Sequence, residues 1–368
     1  MDPQNLTGRV FHSPYMEWVK TRPAARLNLA TSGVPGVSLR DLEASIGDLE
    51  INGPGGYGYT PLREAIAAQY HVPPECIVAG GGTSGANQYA FLALLGPGDN
   101  ALIEFPAYDI LPSLARFCGA DVTWFRRRPE NDWQIDPDEI ASRITPRTRL
   151  VILTNLHNPG GALTSRATLV RIGEIAARHG AYVLVDEVYL DCVWDNPQPT
   201  SFGLGPNFIV TSSLTKVYGF SGLRCGWIFA PGAIADRIRK LTDLLDNIPS
   251  HVAELLSVMA FGRLATFRER SRNLLETNRA IWREFAGAYG FEVPQYGTVA
   301  FPHVGPRAHE LCALLRAEYE VTVVPGHFFL MPEHIRISLA IPPETLREGL
   351  ARCASALERV GGMGNSEA

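Results

Sequence analysis

The sequence predicts an α/β fold: a large domain with a mostly parallel seven-stranded sheet flanked by helices, joined to a smaller α+β domain. The chain has 368 residues, which is long for one compact core and favours two packed domains. Between about residues 60 and 230, short β-branched runs alternate with runs of helical periodicity. After about residue 232 the pattern changes to long amphipathic helices.

Seven short apolar runs in the first region have the composition of β-strands. They read CIVAG, NALIEFP, DVTWF, RLVILTN, AYVLVD, NFIVTSS and GWIFA. Helices are predicted between them at 61–71, 84–95 and 165–179. The first follows Thr60 as N-cap and begins with Pro61, and the third stops at Gly180. Because strands that alternate with helices require crossovers, the sheet is expected to be largely parallel and covered on both faces.

The remaining chain is predicted to form the smaller domain. Its helices are expected at about 232–248, 266–289, 307–319 and 343–358, with short strands between them. The first 45 residues fit neither pattern and are expected to pack against the C-terminal part. The predicted division is therefore a large domain at 46–245 and a discontinuous small domain at 1–45 and 246–368.

Composition and charge exclude several classes of function. The net charge of −5 and the isoelectric point near 6.0 give no basic surface for nucleic acid. No apolar run is long enough to span a membrane, and the N-terminus lacks a signal-peptide pattern, so a cytoplasmic protein is expected. The six cysteines form no C-x-x-C pair and the histidines form no H-E-x-x-H motif, so neither disulfides nor a metal site is expected.

The segment 211–227, TSSLTKVYGFSGLRCGW, gives the strongest chemical signal. Lys216 follows a predicted strand, at the position where α/β folds bind their ligands. A lysine amine can form an imine with an aldehyde cofactor, and Ser213 and Arg224 can reach one phosphate together. On the S-x-x-K pattern alone, a solvated loop lysine near a surface arginine is the commoner explanation.

Two earlier strands also end in polar residues of a matching kind. Asp186 ends the run AYVLVD, and a buried acid needs a cationic partner such as a protonated pyridine nitrogen. Tyr189 and Asn158 follow two of the strands and can both donate to the phenolic oxygen of a pyridoxal ring. Singly, each is more often a capping, packed or turn residue. Together with Lys216 and Arg224 they indicate a site for pyridoxal 5'-phosphate.

Several segments, in this order along the chain, give a family resemblance. They are GYTPLREAIA (58–67), GGGTSGAN (80–87), FPAY (105–108), NLHNPGG (155–161), VDEVY (185–189), SLTKVYGFSGLRCGW (213–227) and HIRIS (334–338). The chain resembles the class I/II aminotransferases among the fold type I enzymes dependent on pyridoxal phosphate. The resemblance implies that fold, amino acid and 2-oxo acid substrates, and a homodimer with active sites at the interface.

The resemblance also implies roles for individual residues. Lys216 would form the Schiff base, Asp186 would pair with the ring nitrogen, and Asn158 and Tyr189 would bind the ring oxygen, with Lys216, Asp186 and Tyr189 as the catalytic residues. The further cofactor-binding residues would be Thr83, Ser84, Tyr108, Ser213, Arg224 and, from a neighbouring subunit, Tyr57. Tyr59 is the alternative to Tyr57.

Substrate-binding residues are implied in the same way. Arg336 would clamp the substrate carboxylate, and Asn158, Ser32 and Gly33 would also face the substrate. The run His327-Phe328-Phe329 either lines the substrate side or packs the small domain. No second arginine is evidently placed to bind a side-chain carboxylate, so aspartate specificity is not supported.

The function that follows is an aminotransferase that moves the amino group of a free amino acid to a 2-oxo acid, with Lys216 transferring the α-proton. The N-terminal run NLATSGVPGVS and the context SSLTK resemble a branch that includes enzymes of the capreomycidine synthase type. The alternative is therefore elimination or cyclisation of a modified amino acid such as a hydroxylated arginine, because Lys216 and Asp186 serve both reactions.

Two further alternatives belong to other classes. Gly80-x-Gly82-x-x-Gly85 matches the dinucleotide-binding motif and precedes Glu104 at the next strand end, as in a nicotinamide-dependent dehydrogenase. That interpretation leaves Asp186 and Lys216 without a role. A regulatory protein with the same fold is the other alternative, although the sequence has no helix-turn-helix extension and retains every chemical residue.

Overall fold

The computed structural model describes residues 11–23, 25–246 and 248–364. The strands are β1 (Leu27–Asn28), β2 (Ile77–Gly81), β3 (Asn100–Phe105), β4 (Asp121–Arg126), β5 (Thr148–Thr154), β6 (Tyr182–Asp186), β7 (Phe208–Ser213), β8 (Cys225–Phe229), β9 (Val299–Ala300), β10 (Val321–Thr322), β11 (Val324–Pro325) and β12 (Ile335–Ser338). The helices are α1 (Pro14–Thr21), α2 (Thr60–Tyr70), α3 (Gly82–Leu94), α4 (Ile110–Phe117), α5 (Pro137–Arg143), α6 (Arg166–Arg178), α7 (Gly232–Thr242), α8 (His251–Gly262), α9 (Leu264–Tyr289), α10 (Ala308–Glu318) and α11 (Pro343–Gly364). Among the described helices, none combines the length and the apolar character needed to cross a membrane.

Seven strands form the central sheet in the order β2-β8-β7-β6-β5-β3-β4. Strands β7, β6, β5, β3 and β4 are parallel neighbours. Strand β8 runs antiparallel to both β7 and β2, so six of the seven strands point the same way. The predicted mostly parallel sheet of seven strands is confirmed.

Both faces of this sheet are buried, because successive side chains of a strand point to opposite faces. In β5, Leu150 and Ile152 belong to the apolar core on the side of α3, α4 and α7. Val151 and Leu153 belong to the core on the side of α6. A sheet buried on both faces explains why these strands read as continuous runs of Val, Ile and Leu.

One edge of the sheet, which we call the carboxyl edge, collects the ends of the parallel strands. Thr154 of β5 pairs with Asp186 of β6 at this edge. Ser213 of β7 pairs with Gly226 near the beginning of antiparallel β8. Arg224, just before β8, therefore lies at the same edge as the loop that follows β7.

The C-terminal part contains the 26-residue helix α9 and an antiparallel sheet of order β11-β12-β9. Leu27 of β1 pairs with Val321 of β10 in a two-stranded parallel sheet, and the amide of Ser338 donates to the carbonyl oxygen of Leu29 at 2.8 Å. The N-terminal segment thus contacts the C-terminal part as expected. The division into domains at residues 45 and 245 stays a prediction.

The helix predictions need several corrections. Helix α2 begins at Thr60, with Tyr59 rather than Thr60 as its N-cap. Helix α7 ends at Thr242 instead of continuing to 248. Helices α1, α4, α5 and α8 were not predicted. In HVAELLSVMAFG, the sequence of α8, apolar residues lie on most of the helix surface, so its helical periodicity is weak.

Candidate active site

A cleft with a volume of about 970 Å³ opens at the carboxyl edge. It is bounded by loops after the strands and by the N-terminal segment. Ten of the predicted site residues line it: Ser32, Gly33, Thr83, Ser84, Tyr108, Asn158, Asp186, Tyr189, Lys216 and Arg224. Ser32 and Lys216, which are 184 positions apart in sequence, thus meet at one site.

Lys216 lies in the loop that follows β7, and its ammonium group donates to Ser32 Oγ at 3.0 Å. Its backbone carbonyl accepts from the amide of Val34 at 3.0 Å. Burial, together with the Arg336 and Arg224 cations, lowers the pKa of the Lys216 amine to about 8, and Asp186 opposes the shift. The neutral amine is therefore more accessible near neutral pH than that of an ordinary lysine.

Asp186, the last residue of β6, is only 4% exposed. Its carboxylate accepts from Asn87 Nδ2 at 2.9 Å and from the amide of Val188 at 3.1 Å. Burial raises the pKa of Asp186 to about 6, and these two hydrogen bonds and the Lys216 charge oppose the rise. The site thus holds a buried carboxylate that a cationic ligand group would stabilise.

Asn87 is a site residue that the sequence did not reveal. Besides donating to Asp186, it accepts from Thr211 Oγ1 at 2.6 Å, so both ends of its amide are fixed. The available signal was its spacing: Asn87 lies four residues after Thr83 on α3 and therefore on the same helix face. That spacing has no chemical meaning until it is known that α3 packs over β7 and β8, which brings Asn87 to the end of β6.

Hydroxyl and guanidinium groups cluster at the N-terminus of α3. Thr83 Oγ1 donates to Ser213 Oγ at 2.7 Å, and Ser84 follows in the same first turn. Arg224 Nη2 donates to the carbonyl oxygen of Gly81 at 2.9 Å. Donors of this kind beside the positive end of a helix dipole form a site for a phosphate group.

The glycine-rich segment before α3 makes room for this arginine. Gly82 has φ +71°, and a Cβ there would lie 2.5 Å from Arg224 Nη2. A Cβ on Gly226 would lie 2.3 Å from the carbonyl carbon of Gly82.

Glu104 is fully buried and pairs with Arg127, Oε2 to Nε at 2.8 Å. Neither the glycines nor the acid thus has the role that the dehydrogenase alternative requires.

A buried hydrogen-bond chain positions Asn158. Its amide N–H donates to Thr154 Oγ1 at 2.9 Å, and Thr154 Oγ1 in turn donates to Glu104 Oε1 at 2.5 Å. Burial raises the pKa of Glu104 to about 7 against the effect of the Arg127 charge. The loop that carries Asn158 is therefore held by an ion pair at the end of β3.

Arg336 of β12 lies immediately behind the cleft wall and is 1% exposed. Its Nη1 donates to Asn158 Oδ1 at 3.3 Å, and its Nη2 donates to the hydroxyl of Tyr15 at 2.7 Å. The guanidinium carbon lies 5.0 Å from the ring centre of Phe329. Tyr15 is a second residue that sequence analysis missed, because nothing in the sequence around α1 signals a site.

Two tyrosines complete the cleft wall. Burial raises the pKa of Tyr189 to about 12, although Arg336 and a hydrogen bond with Ser32 oppose the rise. Burial also raises the pKa of Tyr108, whose ring meets that of Tyr15 edge to face at 5.7 Å. Both phenols are therefore held in the neutral, hydrogen-donating form.

The model of one protein family, "Aminotransferase class I and II", matches residues 40–352. The chain belongs to this family. The cofactor of class I and II aminotransferases is pyridoxal 5'-phosphate, and the family assignment confirms both the resemblance and the cofactor inferred from sequence.

Individual relatives agree with the family. Capreomycidine synthase of Streptomyces vinaceus is 29% identical over 368 residues, which cover 94% of this chain and 93% of that protein. Aspartate/prephenate aminotransferase of Thermus thermophilus is 28% identical over 321 residues, or 82% of each chain. The crystal structure of a PLP-dependent aminotransferase from Streptococcus suis superposes with a TM-score of 0.88 at 26% identity, covering 95% of this chain and 98% of the other. The predicted fold type I is confirmed.

The residues present fit the family's cofactor. An amine and a carboxylate, Lys216 and Asp186, face one cleft from neighbouring strand ends. The position that a Cβ of Gly82 would take is filled by the Arg224 guanidinium, next to the hydroxyls of Thr83 and Ser213. These groups are the kinds that bind an aldehyde, a pyridine nitrogen and a phosphate.

The other predicted site residues lie outside the cleft. Ser213 is buried behind Thr83. Tyr57 is 48% exposed, and its hydroxyl donates to Asp243 at 3.1 Å. Tyr59 is half-buried, with its ring 4.9 Å from that of His251.

The run 327–329 packs the C-terminal part and does not line the cleft. Phe329 is buried against Phe301, with ring centres 5.5 Å apart. Phe328 packs against Trp18 at 5.4 Å. Of the two roles expected for this run, packing is therefore the one observed.

Proposed function

We propose that this protein transfers the amino group of a free amino acid to a 2-oxo acid, and that Lys216 carries the cofactor and moves the α-proton. The observation that carries the proposal is the meeting of Lys216 and Asp186 in one cleft. The lysine has a pKa lowered to about 8, and the acid is buried and forms no salt bridge among the described residues. Each group has the protonation behaviour that the reaction needs.

When bound, pyridoxal 5'-phosphate supplies an aldehyde that joins an amine and a ring that withdraws electrons from the substrate's α-carbon. Asp186 would hold positive charge at the ring nitrogen, and Asn158 and Tyr189 would donate to the ring oxygen. Tyr108 would lie against the ring face. The residues that would hold the phosphate are Thr83, Ser84, Ser213 and Arg224.

Lys216 is proposed to work as a base and then as an acid. Since burial and two arginines lower its pKa, its amine can accept a proton from the substrate's α-carbon near neutral pH. Ser32 Oγ, which accepts from the amine at 3.0 Å, would orient it between transfers. Gly33 permits this contact, because a Cβ there would already lie 3.3 Å from the Lys216 Cα.

Arg336 would bind the substrate's α-carboxylate through its guanidinium fork. The Arg336 Nε atom is buried and has no hydrogen-bond acceptor among the described residues. A carboxylate is an acceptor of the required charge. Asn158, which accepts from Arg336 Nη1 at 3.3 Å, would link this group to the cofactor oxygen.

We also propose that the active enzyme is a homodimer. Six large apolar side chains are exposed in two segments that lie near each other: Ile46, Ile51, Tyr57, Leu244, Leu245 and Ile248. Tyr57 joins the two segments by donating to Asp243, and Ile51 and Leu244 are 82% and 81% exposed. A second copy of the chain would cover this surface, and its Tyr57 would approach the phosphate end of the cleft.

The direct test is Lys216→Ala, with Lys240→Ala as the matched control because Lys240 is exposed on α7. We expect Lys216→Ala to lose about 10⁴-fold or more of the transamination rate, at the upper end for acid–base catalysis. Circular dichroism and the melting temperature should change little. Near wild-type transamination by Lys216→Ala would rule out its proposed role.

Elimination or cyclisation is the second candidate, supported by the similarity to capreomycidine synthase. The same assay separates the two, because transamination needs a 2-oxo acid as amino acceptor and the other reactions do not. Products are measured by mass spectrometry with and without added acceptor. Turnover that is independent of acceptor and yields a dehydrated or ring-closed product would replace transamination as the function.

A further inference from the structure

The cleft is lined by more cations than the proposed reaction uses. Of the described residues that line it, four are positively charged: Lys20, Arg22, Lys216 and Arg224. Asp186 is the one acidic residue in that lining set. Arg336 adds a fifth cation directly behind the wall.

Three of these cations have roles in the proposed function. Lys216 carries the cofactor, Arg224 binds its phosphate, and Arg336 binds the α-carboxylate. Arg22 and Lys20, at the end of α1, remain unassigned. In the described part of the chain neither forms an ion pair, so their charges are available to a ligand.

Arg22 is held in a defined position. Its guanidinium carbon lies 4.5 Å from the ring centre of Trp18, and its Nη1 donates to the carbonyl oxygen of Val19 at 3.0 Å. Its Nη2 contacts Asn28 Oδ1 at 3.4 Å. These contacts use part of the donor set of the guanidinium and leave donors for a further acceptor.

The electrostatic surroundings of Arg22 favour an anion. Burial lowers its pKa, and the Arg316 and Arg336 cations lower it as well, against the opposing effect of Tyr15. A half-buried cation that is next to other cations gains most from a bound negative charge. The nearby wall is apolar at Met16 and Val19, so an anionic group there would be only partly solvated.

We propose that Arg22, assisted by Lys20, is a second anion-binding subsite that receives the substrate's side chain, so the substrates are amino acids with an anionic side chain. The proposal rests on the function proposed above and names its substrate class. A carboxylate or a phosphate would satisfy this subsite. A guanidinium side chain would meet two like charges at the cleft mouth, which disfavours a hydroxylated arginine.

The first test compares amino acids whose side chains differ in charge, including two pairs of nearly the same shape. The holoenzyme is assayed with glutamate against glutamine, aspartate against asparagine, O-phosphoserine and arginine. We expect kcat/KM to favour the acid of each pair by about tenfold or more, as a charge-assisted hydrogen bond implies. A preference for O-phosphoserine over both acids would identify phosphate as the anion. Equal or better turnover of the neutral or basic substrates would overturn the proposal while leaving transamination intact.

The second test changes the subsite. Arg22→Gln should reduce the glutamate-to-glutamine ratio of kcat/KM by about tenfold, and Arg22→Lys should restore most of it by returning the charge. Arg283→Gln is the control, because Arg283 is exposed on α9 and does not line the cleft. An unchanged ratio in Arg22→Gln would contradict the proposal.

A binding measurement separates this inference from the proposed function. Calorimetry of the holoenzyme with succinate and with butyrate needs no turnover, and the two ligands differ by one carboxylate. We expect tighter binding of succinate, by about tenfold, and loss of that advantage in Arg22→Gln. If no amino acid is turned over, the proposed aminotransferase function is wrong. The comparison of succinate with butyrate then still tests whether Arg22 forms an anion-binding subsite. Equal binding of the two ligands overturns the subsite.

Discussion

The carboxyl edge of the central sheet and the N-terminal segment that covers it differ in how they are held. At the carboxyl edge, Asp186 and Ser213 end strands whose ladders fix their backbones. The N-terminal segment has one helix of eight residues, α1, and a strand of two, β1. Its position depends on side chains, such as Ser13 Oγ donating to Asp109 at 2.5 Å and Tyr15 accepting from Arg336.

This difference separates two tasks. Of the groups proposed for chemistry, Asp186 ends β6 and Lys216 lies in the loop that follows β7, and burial shifts the pKa values of both. The groups proposed for recognition of the substrate's side chain, Arg22 and Lys20, lie on a segment with few backbone ladder bonds. A scaffold of this kind can change its substrate by changing α1 while the sheet that carries the reaction stays the same.

If the carboxyl edge carries the chemistry, Asp186→Asn should have the largest effect. We expect kcat/KM to fall by about 10²–10³-fold, because a neutral amide cannot hold positive charge at the ring nitrogen. Steady-state kinetics of the holoenzyme measure this loss. Asp132→Asn is the control, since Asp132 is exposed with φ +46°, a conformation that asparagine also adopts.

Asp186→Asn should also raise the free energy of unfolding of the cofactor-free protein. The folded pKa of Asp186 is raised to about 6 from 3.8, so the folded state holds the proton more tightly than the unfolded one. Stability therefore falls as pH rises from the unfolded to the folded pKa, by up to about 3 kcal/mol. Urea unfolding should show that Asp186→Asn is more stable than wild type near pH 8, with a smaller gain near pH 5. An equal gain at both pH values would contradict a buried, ionised carboxylate.

The two regions also differ in what the sequence reveals. The strands of the central sheet were predictable because burial on both faces leaves continuous apolar runs, and Asp186 and Lys216 stand out where such runs end. Tyr15, Asn87 and Arg22 were not predictable as site residues. Their roles depend on which elements pack against α1 and α3, and no local pattern contains that information.

The next prediction concerns the ion pair that supports the loop of Asn158. Glu104→Gln keeps an acceptor for Thr154 but turns an amide N–H group towards Arg127 Nε, which lies 2.8 Å from the carboxylate. Breaking a buried ion pair in this way should destabilise the protein by about 3 kcal/mol. Because the pKa of Glu104 is raised to about 7, the pair is fully ionised only above that pH. The folded state therefore holds the Glu104 proton more tightly than the unfolded state, and wild-type stability falls as pH rises from 4.5 to about 7. Since glutamine does not titrate, urea unfolding should show a smaller loss in Glu104→Gln near pH 8 than near pH 6.

The double variant Glu104→Gln/Arg127→Met is the internal control for this pair. It removes both charges and should recover much of the lost stability, since a buried pair replaced by neutral groups is often tolerated. If the double variant is no more stable than Glu104→Gln, the buried hydrogen bonds that Arg127 donates to Trp133, Thr154 and Thr164 outweigh the cost of its uncompensated charge.

The smallest expected effect is that of Tyr15→Phe, on the N-terminal side of the comparison. The variant removes the hydroxyl that accepts from Arg336 Nη2 at 2.7 Å and keeps the ring that packs on Phe328 at 5.6 Å. We expect KM for the amino donor to rise by up to about tenfold with kcat nearly unchanged, because one charge-assisted hydrogen bond positions the carboxylate-binding group. Steady-state kinetics separate the two constants. A fall in kcat at constant KM would show that the N-terminal segment takes part in the chemical step, and the division of tasks between the two regions would not hold.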